Sequence, residues 1–156
     1  MLEFFQSIES WPIGMAARES AWFVAAINVV HLLSLVMFLG ALLVVDLRLL
    51  GTGMKRVPLA QLARDARPWL IAGFFGLLCT GLLQVITTPI KQYYSPHFWW
   101  KMETLVVALI FTFVIKWRLT QGNEARLGLW GKLAGAVSIF IWTSIAVFGR
   151  FIGLLS

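Results

Sequence analysis

The chain of 156 residues is 60% hydrophobic and only 13% charged, and it contains 8 Trp and 12 Phe. That apolar fraction exceeds the ~45–50% of an average soluble domain, so a water-soluble fold would leave too much apolar surface exposed. The formal charge of +6 does not indicate a nucleic-acid partner, because most basic residues fall in two short loops between apolar runs. Lys and Arg in such loops act as signals of membrane topology.

Residues 1–18 predict an amphipathic helix that lies at the membrane interface. Acidic and bulky apolar residues are interleaved there, and the Trp11-Pro12 step turns the chain towards the first apolar run. The segment lacks the basic start and the unbroken apolar stretch of a cleavable signal peptide.

Four apolar runs then predict an all-α fold, an integral membrane four-helix bundle that occupies the chain as a single domain. Arg67-Pro68 marks the start of the second run and Thr88-Pro89 its end, because proline is tolerated at a helix start and stops a helix beyond its end. The predicted spans are residues 21–45, 69–88, 99–115 and 133–155.

The distribution of basic residues predicts the orientation of the bundle. Five Lys or Arg lie between positions 48 and 67 and four between positions 116 and 132, whereas the opposite side has Arg18, Lys91, Lys101 and Arg150. By the positive-inside rule both loops face the cytoplasm and both termini are periplasmic. Asp46 and Arg48, at the cytoplasmic end of the first span, are predicted to pair with the basic loop or to cap helix ends.

His31 is the strongest candidate for a functional residue in the first span. It lies ten residues into the apolar run, about 15 Å below the helix end, where an ionisable group is costly. Asn28, His31 and Ser34 share one helix face, which must point into the bundle. A ligand or redox role is the first interpretation of His31, and a hydrogen bond to a neighbouring helix is the alternative.

Two cations are predicted to lie one to two turns above His31. Lys101 opens the third span and Arg150 lies about five residues from the end of the fourth. Together they could bind the carboxylates of a ligand whose apolar body lies deeper in the membrane. Ordinary extension of both side chains towards the interface is the alternative.

The second span adds small and polar residues, among them Gly76 and Thr80. Such residues favour close helix packing, and they would equally let a flat macrocycle approach the backbone. A histidine at mid-depth below two cations and beside this helix fits haem b, with imidazole on the iron and propionates near Lys101 and Arg150.

The sixth iron ligand remains open in this hypothesis. His97 is the other histidine of the chain, but straight helices would place it roughly 10 Å above the level of His31, so that a re-entrant loop would be needed. A zinc or copper site is disfavoured, because such metals require three or four clustered Cys, His or carboxylate ligands.

The sequence resembles a family of bacterial four-helix inner-membrane proteins of unknown function. The resemblance rests on Arg18-Glu19-Ser20, Val30-His31-Leu32, Asp46-Leu47-Arg48-Leu49-Leu50-Gly51, Pro68-Trp69, Thr80-Gly81 and Phe98-Trp99-Trp100-Lys101-Met102. It implies a location in the bacterial inner membrane. Members of that family often carry an asparagine and a histidine late in the third span; this chain has residues 111–116 (FTFVIK) instead, which argues against a second haem on the cytoplasmic side.

A first-span histidine with a lysine opening the third span is more distantly similar to HemJ-type membrane protoporphyrinogen oxidases and to copper-resistance D proteins. In the HemJ-type proteins this pair is functional and haem b is bound, and the resemblance carries these roles to His31 and Lys101.

The leading hypothesis is therefore a membrane protein similar to b-type cytochromes, which binds haem b near the periplasmic side. It would transfer electrons, with quinone or a periplasmic redox protein as partner. Two alternatives stay open: HemJ-like protoporphyrinogen oxidation in the same pocket, and a non-redox transporter or partner subunit of a larger complex. Beyond membrane lipid, a homo-oligomer is compatible with so thin a bundle.

Overall fold

The structure, a computed structural model, describes residues 2–154, except for the side chains at positions 124, 125 and 150–154. The described residues are helical throughout, apart from short turns. The helices are α1 (Leu2–Glu9), α2 (Pro12–Glu19), α3 (Ala21–Leu50), α4 (Leu59–Thr87), α5 (Pro89–Tyr93), α6 (Pro96–Ile110), a π-helical segment (Phe111–Lys116), α7 (Trp117–Gln121) and α8 (Glu124–Leu154).

Four stretches are long and apolar enough to cross a membrane: Ala21–Leu50, Leu59–Thr87, Pro96–Gln121 and Arg126–Gly149. The predicted all-α membrane bundle of four helices is thereby confirmed. The region before the first span forms two short helices, α1 and α2, which are separated at the Trp11-Pro12 step.

The helix of the second span begins earlier than the sequence predicted. Pro68 was expected at its start but lies in its interior, since α4 begins at Leu59. The reason is packing: Leu59, Leu62, Ala63 and Ala66 recur at helical spacing and are buried. Packing of this segment against α3 stabilises a helical backbone there, and the helix therefore extends beyond the apolar run.

The core of the bundle joins all four spans. Phe38 and Leu42 of α3 pack with Leu70 of α4, Ala108 of α6, and Trp142 and Ile145 of α8. The ring centroids of Phe38 and Trp142 are 4.6 Å apart in an edge-to-face arrangement.

Two glycines of α4 allow the close approach of α3. A Cβ added at Gly73 would lie 2.8 Å from the backbone nitrogen of Phe38, and one at Gly76 would clash with Oγ of Ser34. Neither position has room for a side chain. These contacts explain why α3 and α4 form the most extensive helix pair of the bundle.

The bundle has two ends, named here after their central polar residues. The His31 half carries α1, α2 and α5, which pack across the ends of α3 and α4. The Asp46 half carries the loop 51–58, α7 and the π-helical segment, and Arg67 of α4 stacks there on the ring of Trp117 at 4.7 Å.

Candidate functional site

The predicted site residue His31 is held by α4. Its Nδ1 lies 2.7 Å from Oγ1 of Thr80. The Thr80 hydroxyl also lies 2.6 Å from the backbone oxygen of Gly76, one helical turn earlier. Thr80 is buried, whereas His31 is partly exposed.

These two distances fix the tautomer of His31. Two oxygen atoms at 2.6 Å need a hydrogen between them, so the Thr80 hydroxyl donates its only hydrogen to the Gly76 carbonyl. The threonine oxygen can then only accept from the imidazole, and a neutral His31 carries its hydrogen on Nδ1. The lone pair of Nε2 is left, and no group among the described residues hydrogen-bonds that nitrogen.

A second polar contact joins the same two helices, near the start of α3 and the end of α4. Nε2 of Gln84 donates to Oδ1 of Asn28 at 3.1 Å. Asn28 is exposed and lies one turn from His31, so it aligns the two helices rather than contacting the imidazole. Gly81 faces the ring, because a Cβ added there would lie 3.8 Å from Cε1 of His31.

Lys101 reaches the same region from α6. Its side chain crosses Gly149 of α8: a Cβ added at Gly149 would lie 3.4 Å from Nζ and 3.5 Å from Cε of the lysine. The ammonium is close enough to His31 to interact with it electrostatically. In the described part of the chain no carboxylate lies within ion-pair distance of Lys101. The side chain is thus a partly buried cation with no neutralising partner in that part of the chain.

The remaining predicted site residues have different surroundings. Gly76 contacts Ser34 at the α3–α4 interface and accepts the Thr80 hydrogen bond. His97 lies in the first turn of α6 and packs edge-to-face on Trp100, with ring centroids 6.0 Å apart. Arg150 belongs to α8, but its side chain lies outside the described residues.

Aromatic side chains cover this end of the bundle. The ring of Phe5 in α1 lies 5.3 Å from Tyr93 and 6.4 Å from Trp99. Nε1 of Trp99 donates to the backbone oxygen of Tyr93 at 2.9 Å. Because α1 and α5 are joined through these rings, they close the His31 half against the membrane interface.

The Asp46 half holds a second polar cluster, which the sequence did not predict. Asp46 of α3 pairs through Oδ1 with Lys116 of the π-helical segment, and its Oδ2 accepts from Oγ of Ser138 of α8 at 2.8 Å. Nζ of Lys116 also donates to Ser138 at 3.3 Å. The exposed fractions of Asp46, Lys116 and Ser138 are 2%, 4% and 0%.

The expected partner of Asp46 was therefore wrong. The basic loop supplies no partner, and the carboxylate instead binds a lysine from another span. Only Arg48 contacts the loop, where its Nε donates to the backbone oxygen of Val57 at 3.0 Å. Because Lys116 ends an apolar run, its sequence position suggests a loop cation. Its pairing with Asp46 depends on a contact between two helices that are distant in sequence.

The described residues contain no group of three or more His, Cys, Asp or Glu that could hold a metal ion.

Comparison with known proteins gives a family but no activity. No curated protein and no solved structure matches the chain, so the similarity to HemJ-type and copper-resistance D proteins stays a prediction. Residues 4–155 match the family of unknown function DUF6644. The match covers nearly all of the sequence, and the chain belongs to this family.

Proposed function

We propose that the protein binds haem b in its His31 half, with His31 as an axial ligand. The observation that carries this proposal is the hydrogen bond between Nδ1 of His31 and Thr80, which leaves Nε2 with a lone pair that no described residue binds. Histidines that ligate metals commonly have their other ring nitrogen fixed by such a second hydrogen bond.

Lys101 supports the same proposal. A partly buried ammonium that no described carboxylate neutralises is costly in a membrane span, and an anionic group of a ligand would remove that cost. The two propionates of haem b are such groups. Gly149 gives the lysine side chain its path into the bundle, and Arg150 is the next residue of the same helix.

Each of these residues would then have a separate role in binding the haem. His31 binds the iron, Thr80 orients the imidazole, and Lys101 binds a propionate. Haem held in this way supplies one-electron redox chemistry, and electron transfer with quinone or a periplasmic redox protein is the activity we propose. His97 remains a candidate for a sixth ligand.

A reduced-minus-oxidised visible spectrum of the detergent-purified protein tests the proposal. We expect b-type absorption bands in the wild type and none in His31→Ala. Thr80→Val keeps the shape of the side chain but removes the acceptor for Nδ1, and we expect haem affinity to fall about 10–100-fold.

Thr87→Val is the matched control, since Thr87 is also buried in α4 and bonds only the backbone oxygen of Gln84 at 2.9 Å. It should retain haem like the wild type. A wild-type protein that stays colourless after reconstitution with haem would contradict the proposal. Equal binding of iron-free protoporphyrin and haem would instead favour a tetrapyrrole substrate and the protoporphyrinogen-oxidase alternative.

A further inference from the structure

An apolar groove runs along the outside of α3 and α4 in the Asp46 half. It has a volume of about 270 Å³ and is lined by Met37, Gly40 and Val44 of α3 and by Ala66 and Trp69 of α4. The groove exists because its floor is made of small residues. A Cβ added at Gly40 would meet no atom within 4 Å.

The dimensions of the groove favour a hydrocarbon chain over a helix. From Met37 to Val44 it follows α3 for about 10 Å. The whole open space of the groove, about 550 Å³, spread over that length gives a mean cross-section of roughly 50 Å², whereas an α-helix about 10 Å across needs roughly 80 Å². Because the groove opens on a membrane-spanning surface, water is a poor occupant and an acyl chain is a good one.

The chain carries positive charge beyond the end of the groove that lies nearer the loop 51–58. Arg48 follows Val44 by four residues and so continues the same face of α3, and its Nε bonds the loop at Val57 O. Lys55 and Arg56 are exposed in that loop. Between positions 48 and 67 the sequence has five basic residues and a single acidic one, Asp65.

We propose that this groove binds an anionic phospholipid, with one acyl chain along Gly40 and the phosphate near Arg48, Lys55 and Arg56. A basic region next to an apolar groove between spans offers both parts of such a lipid a complementary surface. This site lies in the opposite half of the molecule from His31, and it depends in no way on the proposed haem.

Native mass spectrometry of the detergent-solubilised protein tests the site, with palmitoyl-oleoyl phosphatidylglycerol compared with phosphatidylcholine of the same chains. We expect one phosphatidylglycerol to bind at least tenfold more tightly than phosphatidylcholine. Gly40→Phe should abolish this tight binding, because its side chain starts in open space and projects into the groove that Gly40 lines. Val36→Phe is the matched control: Val36 is 69% exposed on the same helix but does not line the groove, and this variant should bind like the wild type.

The double variant Lys55→Gln/Arg56→Gln tests the charge without touching the packing of the helices. We expect the preference for phosphatidylglycerol to shrink at least tenfold while phosphatidylcholine binds as before. Equal affinity of the wild type for both lipids would overturn the proposal, as would unchanged phosphatidylglycerol binding in Gly40→Phe. A wild-type dimer that Gly40→Phe converts to a monomer would overturn it too, because a second copy would then be the occupant of the groove.

Discussion

The two halves of the bundle hold charged residues in opposite ways. In the Asp46 half, a carboxylate, an ammonium and a hydroxyl from three different helices satisfy one another in a fully enclosed cluster. Within the described part of the His31 half, Lys101 has no carboxylate partner, and one ring nitrogen of His31 has no hydrogen-bond partner. A cluster that is complete within the protein serves to hold helices together. A cluster whose cation lacks an anion and whose imidazole has an unused nitrogen is suited to bind a ligand.

The largest expected effect comes from breaking the complete cluster. Lys116→Met leaves the Asp46 carboxylate buried without its cation, and we expect the free energy of unfolding to fall by about 3–5 kcal/mol. Denaturant titration followed by circular dichroism in detergent micelles measures this loss.

The control for this prediction removes both charges. The double variant Asp46→Leu/Lys116→Met should recover most of the stability, since no charge is then left unpaired. If the double variant were as unstable as the sum of both single variants, the pair would not be coupled and the contrast between the two halves would fail.

A smaller loss is expected from the backbone contact that joins α3 to α4. Gly73→Ala places a methyl group 2.8 Å from the backbone nitrogen of Phe38, so the helices must separate. We expect the free energy of unfolding to fall by about 1–3 kcal/mol. Gly40→Ala is the matched control on the partner helix: its Cβ meets open space, and the thermal unfolding midpoint should stay at or slightly above that of the wild type. Equal loss in both variants would show that the helix pair does not depend on close approach at Gly73.

The smallest effect on stability should come from the lysine of the other half. Lys101→Met removes a desolvated charge and leaves no described carboxylate unpaired. We therefore expect the free energy of unfolding to stay within about 1 kcal/mol of the wild type or to rise. Haem retention should fall at the same time, which visible absorption after gel filtration would detect. A loss of stability as large as that of Lys116→Met would mean that Lys101 also has a structural role, and the two halves would no longer differ.

Much of the fold was predictable because it follows from local composition. Apolar runs of sufficient length must be helical in a membrane, where every backbone group needs an internal partner. The limits of the helices were less predictable. Pro68 suggested a start that the packing of Leu59, Ala63 and Ala66 moves nine residues earlier, and this packing depends on contacts with Val45 and Leu49 of α3.

The candidate site was predictable only in part. His31 could be singled out because a histidine in an apolar run is unusual. Its bond to Thr80 could not be predicted, because the two residues are 49 positions apart and their contact depends on how α3 and α4 are rotated against each other. The haem interpretation itself, with His97 and Arg150 as further participants, stays a prediction.

The sequence by itself determined that this chain is a membrane bundle of four helices and that it carries costly polar groups within its spans. Hydropathy and helix length decide this, and both are local properties. Only the tertiary structure decided which polar group meets which. Lys116, which its sequence position suggested was a loop cation, is buried against Asp46, and Lys101, which could have extended to the interface, lies across Gly149 of α8. The physical reason is that a buried charge is stabilised by the groups from other helices that surround it, and those groups are brought together only by the packing of the bundle.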